Sequence, residues 1–214
     1  MRPFLLRHRT SFTLLLLANF YPTAVFAQQT KVTVVSWNVE SGGSQAQTVA
    51  QRIRSMQGVD VWGFSEVQND ADASEFETAA EDGENANFER ITGTTGGADK
   101  LVIVYDGTRF DKVRQFELHD MNPNGRVRSP LVAHLRNRAT GQEFLFMVNH
   151  LYRSNNTARH QQAQLLNQWA RTQAFPVIAV GDYNFDWSVE NGDQDHDLGY
   201  DNMVKDGVFT WVRP

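Results

Sequence analysis

The sequence predicts one α/β domain in which two β-sheets pack together and helices cover them from outside. Short runs rich in Val, Ile and Phe alternate with polar stretches of helical periodicity, as in layered α/β folds. The strand candidates in the middle of the chain are joined by connections with Gly or Asn, which favours antiparallel pairing. The length of 214 residues, with 41% hydrophobic residues, suits one domain with a sizeable core.

The first 27 residues have the organisation of a secretory signal. Three arginines stand in the first ten residues, before an apolar run that ends in a small-residue cleavage pattern. Pro22 within this run disfavours the alternative, an N-terminal membrane anchor. We therefore expect a mature chain that begins at Gln28, is secreted or periplasmic, and has no stable membrane insertion after cleavage.

Charge and cysteine content narrow the classes of function. The net charge is -5, and removal of the three leader arginines takes it to about -8. An acidic chain is poorly suited to gripping nucleic acid by bulk electrostatics, because phosphate binding uses a basic face. The sequence contains no cysteine, so the fold is not stabilised by disulfides.

The secondary structure is predicted from the periodicity of apolar residues. Strands are expected at 31–37, 59–64, 100–106, 112–118, 129–136, 143–151 and 175–180, and helices at 45–56, 69–82 and 158–170. The helix at 69–82 is acidic and is expected on the surface. The region from residue 188 is polar and weakly patterned, apart from 207–212, a possible strand.

Several predicted strands end in a polar side chain. Asn38, Glu66 and His150 follow three of them, and Asp182 and Asn184 follow a fourth. Residues i and i+2 of an extended segment point to one face, so the last two can converge on one ligand. Oxygen and imidazole donors without cysteine favour a hard cation such as Mg²⁺. Each residue alone fits a turn or a buried structural position, but together they indicate metal-assisted hydrolysis of a phosphate ester.

Four ordered segments carry a resemblance to a known family. SWNVE, GFSEVQ, VNHL and VGDYNFDW occur in this order within residues 31 to 187. In this combination the chain resembles the endonuclease/exonuclease/phosphatase superfamily, in its deoxyribonuclease I-like form. The resemblance implies a four-layer α/β sandwich of two mainly antiparallel sheets with outer helices. It also implies hydrolysis of a phosphodiester or phosphomonoester by in-line attack of water, with Mg²⁺ as cofactor and Mn²⁺ or Ca²⁺ as alternatives.

The resemblance assigns a role to each polar residue at a strand end. Glu66 would bind the metal, with Asn38 beside it. Asp182 would orient or activate the water, and Asn184 would hold Asp182 and the phosphate. His150 would contact the phosphate as a hydrogen-bond donor or an acid.

Other side chains have two possible interpretations. Arg128 stands where deoxyribonuclease-like members place a phosphate-contacting arginine, but it also fits an ordinary edge-strand arginine. Tyr105 could line the cleft as a substrate-binding residue or belong to the core. Trp187 and Trp211 could flank the site, although buried packing is the simpler expectation for both.

The closing element of the family has no counterpart in the sequence. Members end with an Asp in a late strand and a Ser-Asp-His or similar tripeptide, whereas this chain ends in GVFTWVRP. His196 stands in a polar stretch and is not expected to fill the role of the missing histidine. We therefore expect residues 28–214 to form an incomplete domain that lacks its C-terminal strands.

The acidic stretch near the end of the chain resembles a calcium loop only in part. Asp193, Asp195 and Asp197 alternate, but Leu198 and Val204 occupy the positions that require Gly and Glu in an EF-hand. The pattern therefore predicts a solvated loop, with loose calcium binding at most.

These observations predict an exported, monomeric phosphoesterase that depends on Mg²⁺, a phosphodiesterase or nuclease acting on a phosphate ester such as extracellular DNA or RNA. The alternative is a catalytically impaired or non-catalytic exported domain that binds a phosphorylated ligand or partner. A serine hydrolase is disfavoured, because GFSEV is not the G-x-S-x-G motif.

Overall fold

Eight strands and four α-helices make up the described part of the chain. The computed structural model describes residues 31–43, 45–122, 125, 127–185 and 196–212. The strands are β1 (Val34–Asn38), β2 (Val61–Val67), β3 (Phe88–Thr92), β4 (Lys100–Asp106), β5 (Phe110–Glu117), β6 (Leu131–Asn137), β7 (Glu143–His150) and β8 (Val177–Asp182). The helices are α1 (Ala46–Ser55), α2 (Asp70–Glu84), α3 (Asn156–Ala170) and α4 (Leu198–Val204). No helix among these is long and apolar enough to cross a membrane.

The strands form two four-stranded sheets in the orders β1-β2-β4-β3 and β5-β6-β7-β8. The β1–β2 and β7–β8 ladders are parallel and the other four are antiparallel. One apolar core lies between the two sheets. A second lies between the first sheet and α1 and α2, and a third between the second sheet and α3 and α4. The predicted four-layer sandwich of mainly antiparallel sheets is confirmed.

Helices α2 and α3 form where helical periodicity in the sequence coincides with residues that cap the helix ends. Helix α2 begins after Asn69, whose side chain accepts a hydrogen bond from the backbone N–H of Asp72 at 2.9 Å, and it ends at Asn85 in the left-handed region. Its apolar face is buried against the first sheet around Phe76. Asn155 caps α3 in the same manner, through the backbone N–H of Ala158 at 3.0 Å.

Most predicted elements are confirmed, and the differences lie in edge strands and near the end of the chain. Strand β3 and helix α4 were not predicted, because neither has a run of apolar residues. The strand predicted at 207–212 is wrong. Asp206 and Gly207 have positive φ values of 58° and 68°, and this turn leads into residues 208–212, which join neither sheet.

Glycines in β2 and β8 allow the two sheets to approach each other closely. A Cβ atom on Gly63 of β2 would lie 2.6 Å from Cγ2 of Val180 and 2.9 Å from Cγ2 of Val148. The backbone N–H of Gly181 donates to Oγ of Ser36 at 2.9 Å and so joins β8 to β1 of the other sheet. Residues at the ends of these strands are therefore brought to one place.

Candidate active site

Glu66, His150 and Asp182 converge at the carboxyl ends of β2, β7 and β8. One ligand atom from each lies within 4.8 Å of the others. His150 Nε2 is 3.7 Å from Oε1 of Glu66 and 3.9 Å from Oδ2 of Asp182. His150 and Asp182 are register partners in the parallel β7–β8 ladder, whereas Glu66 belongs to the other sheet. The cluster therefore bridges the two sheets.

Asn38 lies between the two carboxylates of this cluster. Its Nδ2 donates to Oε1 of Glu66 at 2.9 Å and to Oδ2 of Asp182 at 3.0 Å. Its Oδ1 accepts a hydrogen bond from the backbone N–H of Glu40 at 2.9 Å. Asn38 thus lies beside Glu66, as the resemblance implies, but it presents its nitrogen to the carboxylates.

Glu66 is oriented by an irregular backbone and by Ser41. Its φ is 63°, and the β2–β4 register shifts between Phe64 and Val67, so a bulge turns this side chain toward the site. The backbone N–H and the hydroxyl of Ser41 both donate to Oε2 at 3.0 Å. Burial acts to raise the pKa of Glu66, but the hydrogen bonds from Asn38 and Ser41 outweigh it and lower the pKa below its ordinary value. Glu66 is therefore ionised at neutral pH.

Asp182 is held by the turn that follows β8. The backbone N–H of Asn184, a residue with φ of 52°, donates to Oδ1 of Asp182 at 3.1 Å. The side-chain nitrogen of Asn184 donates to the carbonyl of Leu151 at 3.1 Å, and the N–H of Leu151 donates to the carbonyl of Asp182 at 2.9 Å. Asn184 therefore fixes Asp182 through its own backbone and ties the loop after β7 to the loop after β8.

His150 is a buried and neutral imidazole in this environment. Its exposed fraction is 5%, and Nδ1 has no hydrogen-bond partner within the described residues. Burial and the charge of Arg128 lower its pKa below the ordinary value, while Asp182 and Glu66 act in the opposite direction. A neutral imidazole can bind a metal or donate a hydrogen bond to a phosphate oxygen.

Arg128 lies just before β6 and is held by Asp99. Its guanidinium forms an ion pair with the Asp99 carboxylate, and its Nε donates to the Asp99 carbonyl at 3.1 Å. Burial lowers the pKa of Arg128 and the charges of Glu66 and Asp182 raise it, so the arginine is within electrostatic range of the cluster. A guanidinium remains protonated in proteins. Arg128 is thus a fixed cation beside two carboxylates.

The structure does not bring Tyr105 into the cluster. Tyr105 is fully buried and pairs with Val61 at the start of β2, whereas Glu66 lies near the end of that strand. Its hydroxyl donates to Glu89, and burial raises its pKa. These contacts agree with the core interpretation of this tyrosine.

The remaining candidates lie elsewhere or outside the described residues. Trp187 falls outside them, and Trp211 is 39% exposed. Nε2 of His196 contacts Oδ1 of Asp201 at 3.0 Å, beside α4. The imidazole is thus engaged with a carboxylate of α4.

Asp197 corrects the prediction of a solvated acidic loop. Its Oδ2 accepts hydrogen bonds from Nε and Nη2 of Arg159 at 2.8 and 2.5 Å, and Nε2 of His160 lies 3.1 Å away. Asp193 and Asp195 fall outside the described residues. The one described member of the alternating pattern is therefore a partly buried ion-pair partner, because Arg159 of α3 supplies a buried cation that the pattern of acids does not reveal.

Sequence reasoning missed two supporting residues. Ser41 holds Glu66 and Asp99 holds Arg128, yet each stands in a loop with no periodic pattern. Their roles depend on contacts between segments that are distant in sequence.

The donor set of the cluster fits a divalent cation. Two carboxylates and a buried imidazole meet within a few ångströms, and no lysine or arginine among the described residues is paired with either carboxylate. Carboxylate oxygens and an imidazole nitrogen, without thiolates, suit a hard or borderline cation. Glu66, fixed by Ser41, is the residue that would hold it, and Asp182 and His150 lie within reach of the same ion.

The chain belongs to the Endonuclease/Exonuclease/phosphatase family, whose sequence profile matches residues 35–211. Enzymes of this family hydrolyse phosphoric esters and use divalent metals. No curated protein matches the sequence significantly.

Solved structures share the fold at low sequence identity. A family protein from Bacteroides thetaiotaomicron has a TM-score of 0.61 and 22% identity, over 81% of this chain and 66% of that one. A mannosyl-6-phosphatase from the same species has a TM-score of 0.60 and 20% identity, over 81% and 70%. TDP2 from D. rerio, complexed with a single-strand DNA product, has a TM-score of 0.59 and 18% identity, over 72% and 60%. The chain thus spans about two thirds of the length of these structures.

Proposed function

We propose that the protein is an exported, Mg²⁺-dependent phosphodiesterase of the nuclease type. The observation that carries the proposal is the cluster of Glu66, His150 and Asp182, whose two carboxylates share the amide nitrogen of Asn38. Export rests on the organisation of the first 27 residues. Mg²⁺ rests on the oxygen-rich donor set.

Each side chain has a distinct task in this proposal. Glu66, ionised and fixed by Ser41, is a metal ligand, and the metal supplies charge stabilisation to the phosphate oxygens when it is bound. Asp182 has one oxygen held by the N–H of Asn184 and the other facing the cluster, so it is oriented to accept a proton from the attacking water. His150 donates a hydrogen bond to the phosphate as a neutral imidazole.

Arg128 favours a phosphate ester over other substrates. Its guanidinium is fixed by Asp99 and can neutralise a phosphate oxygen that would otherwise face two carboxylates. The net charge, about -8 once the leader is removed, limits affinity for long nucleic acids, so short or single-stranded segments suit this surface better than long duplexes.

The proposal is tested with purified protein and the variant Asp182→Asn. We expect the wild-type protein to nick plasmid DNA and to hydrolyse bis(p-nitrophenyl) phosphate in Mg²⁺, to lose both activities in EDTA, and to regain them on adding Mg²⁺. Asp182→Asn should lose at least about a hundredfold in rate, the scale of general base catalysis. Asp82→Asn, on the exposed side of α2, is the matched control. Wild-type rates in Asp182→Asn would refute the assigned role.

A second candidate is an exported domain that binds a phosphorylated ligand without turnover. Within the described residues the cluster contains a single histidine, so one imidazole would have to serve every step of phosphate-ester hydrolysis that uses a histidine. Mg²⁺-dependent binding of a phosphorylated compound by calorimetry, together with zero turnover of both substrates, would favour this candidate.

A further inference from the structure

The loop that follows His150 carries an exposed arginine. Arg153 lies three residues after His150, between β7 and α3. Within the described part of the chain, its guanidinium has no hydrogen-bond or ion-pair partner. Arg128, the other cation near the cluster, is by contrast already paired with Asp99.

Two buried side chains of α3 fix the backbone at Arg153. Nη1 of Arg159 donates to the carbonyl of Tyr152 at 3.0 Å and to that of Arg153 at 2.9 Å. Oε1 of Gln162 accepts a hydrogen bond from the backbone N–H of Tyr152 at 3.0 Å. The exposed fractions of Arg159 and Gln162 are 1% and 0%. The main chain that presents Arg153 is therefore held from inside the protein.

Arg159 is itself fixed by an ion pair. Asp197, at the start of α4, accepts hydrogen bonds from Nε and Nη2 of Arg159 at 2.8 and 2.5 Å. Burial of an arginine is costly unless its partners are well placed. Here the buried guanidinium joins α4, α3 and the loop after His150. Such a supporting set of contacts holds the main chain at Arg153 in one position.

The loop that carries Arg153 is attached to the turn after Asp182. Leu151, two residues before Arg153, donates its N–H to the carbonyl of Asp182 at 2.9 Å, and its carbonyl accepts a hydrogen bond from the side chain of Asn184 at 3.1 Å. Arg153 therefore stands on a segment that begins at His150 and is tied to the loop that holds Asp182. In a chain with a net charge of -5, an unpaired cation at this place marks where an anion can bind.

We propose that Arg153 binds a second anionic group of the substrate, beside the phosphate that is hydrolysed, and that Arg159 is its positioning residue. This inference rests on the proposed function. The substrate class is a phosphate ester with a second phosphate, which is either the next phosphate of a polynucleotide or a second phosphate on a small molecule.

A matched pair of substrates tests the proposal. Thymidine 5′-(p-nitrophenyl phosphate) has one phosphate, and its 3′-phosphorylated form differs only by the second. We expect Arg153→Ala to lower the preference in kcat/KM for the bisphosphorylated substrate by about tenfold, the scale of one charge-assisted contact. Arg153→Lys should restore part of this preference, because the charge remains and the planar fork is lost. Arg171→Ala, at the end of α3, is the control for the loss of an exposed arginine.

Three outcomes separate the inference from the proposed function. If Arg153→Ala lowers kcat/KM equally for both small substrates, or for neither, and causes no additional loss on a single-stranded oligonucleotide, the second-anion role is overturned. If the wild-type protein hydrolyses neither substrate, the proposed function fails, and calorimetric binding of thymidine 3′,5′-bisphosphate then decides the role of Arg153. Equal affinity in wild type and Arg153→Ala would overturn it.

A single-stranded oligonucleotide of twelve residues distinguishes the two sources of the second phosphate. A loss in Arg153→Ala that is confined to the oligonucleotide identifies the polynucleotide backbone as the ligand. A loss shared by the oligonucleotide and the bisphosphorylated nucleoside identifies a second phosphate of either source.

Discussion

Nδ2 of Asn38 and Oδ2 of Asp182 are 3.0 Å apart, although the two residues are separated by 144 positions in the sequence. Asn38 ends a strand of one sheet and Asp182 ends a strand of the other. The same amide nitrogen also donates to Glu66. One neutral donor therefore sets the arrangement of two carboxylates that would otherwise repel each other.

Loss of this amide should weaken the site more than the fold. We expect Asn38→Ala to reduce Mg²⁺ affinity and kcat/KM by about tenfold to a hundredfold, the usual effect of removing a partner of a ligand. Calorimetric Mg²⁺ titration and steady-state kinetics check this, with Gln115→Ala on the exposed face of β5 as control. Unchanged metal affinity in Asn38→Ala would argue against the bridging role.

The contact between Asp99 and Arg128 should be required for phosphate binding. In Asp99→Ala the guanidinium loses its ion-pair partner and is free to turn toward the carboxylates of the cluster. We expect KM for bis(p-nitrophenyl) phosphate to rise by about tenfold, the effect of one lost charge-assisted contact. The double variant Asp99→Ala/Arg128→Ala should be no worse than Arg128→Ala alone, because the first residue acts through the second. Additive losses would show that Asp99 has an independent role.

Glu117 should make the free energy of unfolding depend on pH in the acidic range. Burial acts to raise the pKa of its carboxyl group, but hydrogen bonds from Thr94 and Thr95 outweigh it and lower the pKa. A lowered pKa in the folded state contributes stability above the ordinary pKa of 4.5, and this contribution is lost as the pH falls through the folded value. Urea unfolding from pH 6 to pH 3 should therefore show a flatter profile for Glu117→Gln than for the wild type. Asp120→Asn is an exposed control, and identical slopes in wild type and Glu117→Gln would contradict the assignment.

Gly181 should not tolerate a side chain. Its φ is 127°, and an added Cβ would overlap the backbone of Asn149 on the neighbouring strand. We expect Gly181→Ala to lower the free energy of unfolding by about 3 kcal/mol or more, as overpacking and backbone strain add. Gly97→Ala is a matched control, since Gly97 also has a positive φ of 62° but meets no atom within 4 Å. Its cost should be about 1 kcal/mol, from the backbone alone. Similar losses in both variants would show that the close approach is unimportant.

The elements that the sequence predicts well are those with a continuous local pattern. Strand β4 coincides with its prediction at residues 100–106, because its apolar run is buried on both faces. Strand β3 was not predicted, because only Phe88 and Ile91 of its five residues are apolar and they do not alternate with polar residues. Its Arg90 pairs with Asp70 and Glu77 of α2. Its stability therefore comes from tertiary contacts.

The candidate site likewise contains some residues that the sequence predicts and others that it does not. Asn38, Glu66, His150 and Asp182 could be predicted because each follows a strand and the ordered segments resemble one family. The contact of Ser41 with Glu66 could not be predicted, since it joins residues 25 positions apart that are separated by helix α1 and most of strand β2. Arg159 also gave no signal, because nothing in a helical pattern distinguishes a buried ion-paired arginine from an exposed one.

The absence of a side chain at Gly63 has a consequence for the choice of ion. Gly63 lies three residues before Glu66 and faces Val180, two residues before Asp182, so the spacing of the two carboxylates depends on how closely these strands approach. Mg²⁺ binds oxygen at about 2.1 Å and Ca²⁺ at about 2.4 Å, so a small change in spacing alters which ionic radius is accommodated. The ion preference of the cluster would therefore depend on the packing of the hydrophobic interior. A substitution at position 63 would change that preference without changing any ligand.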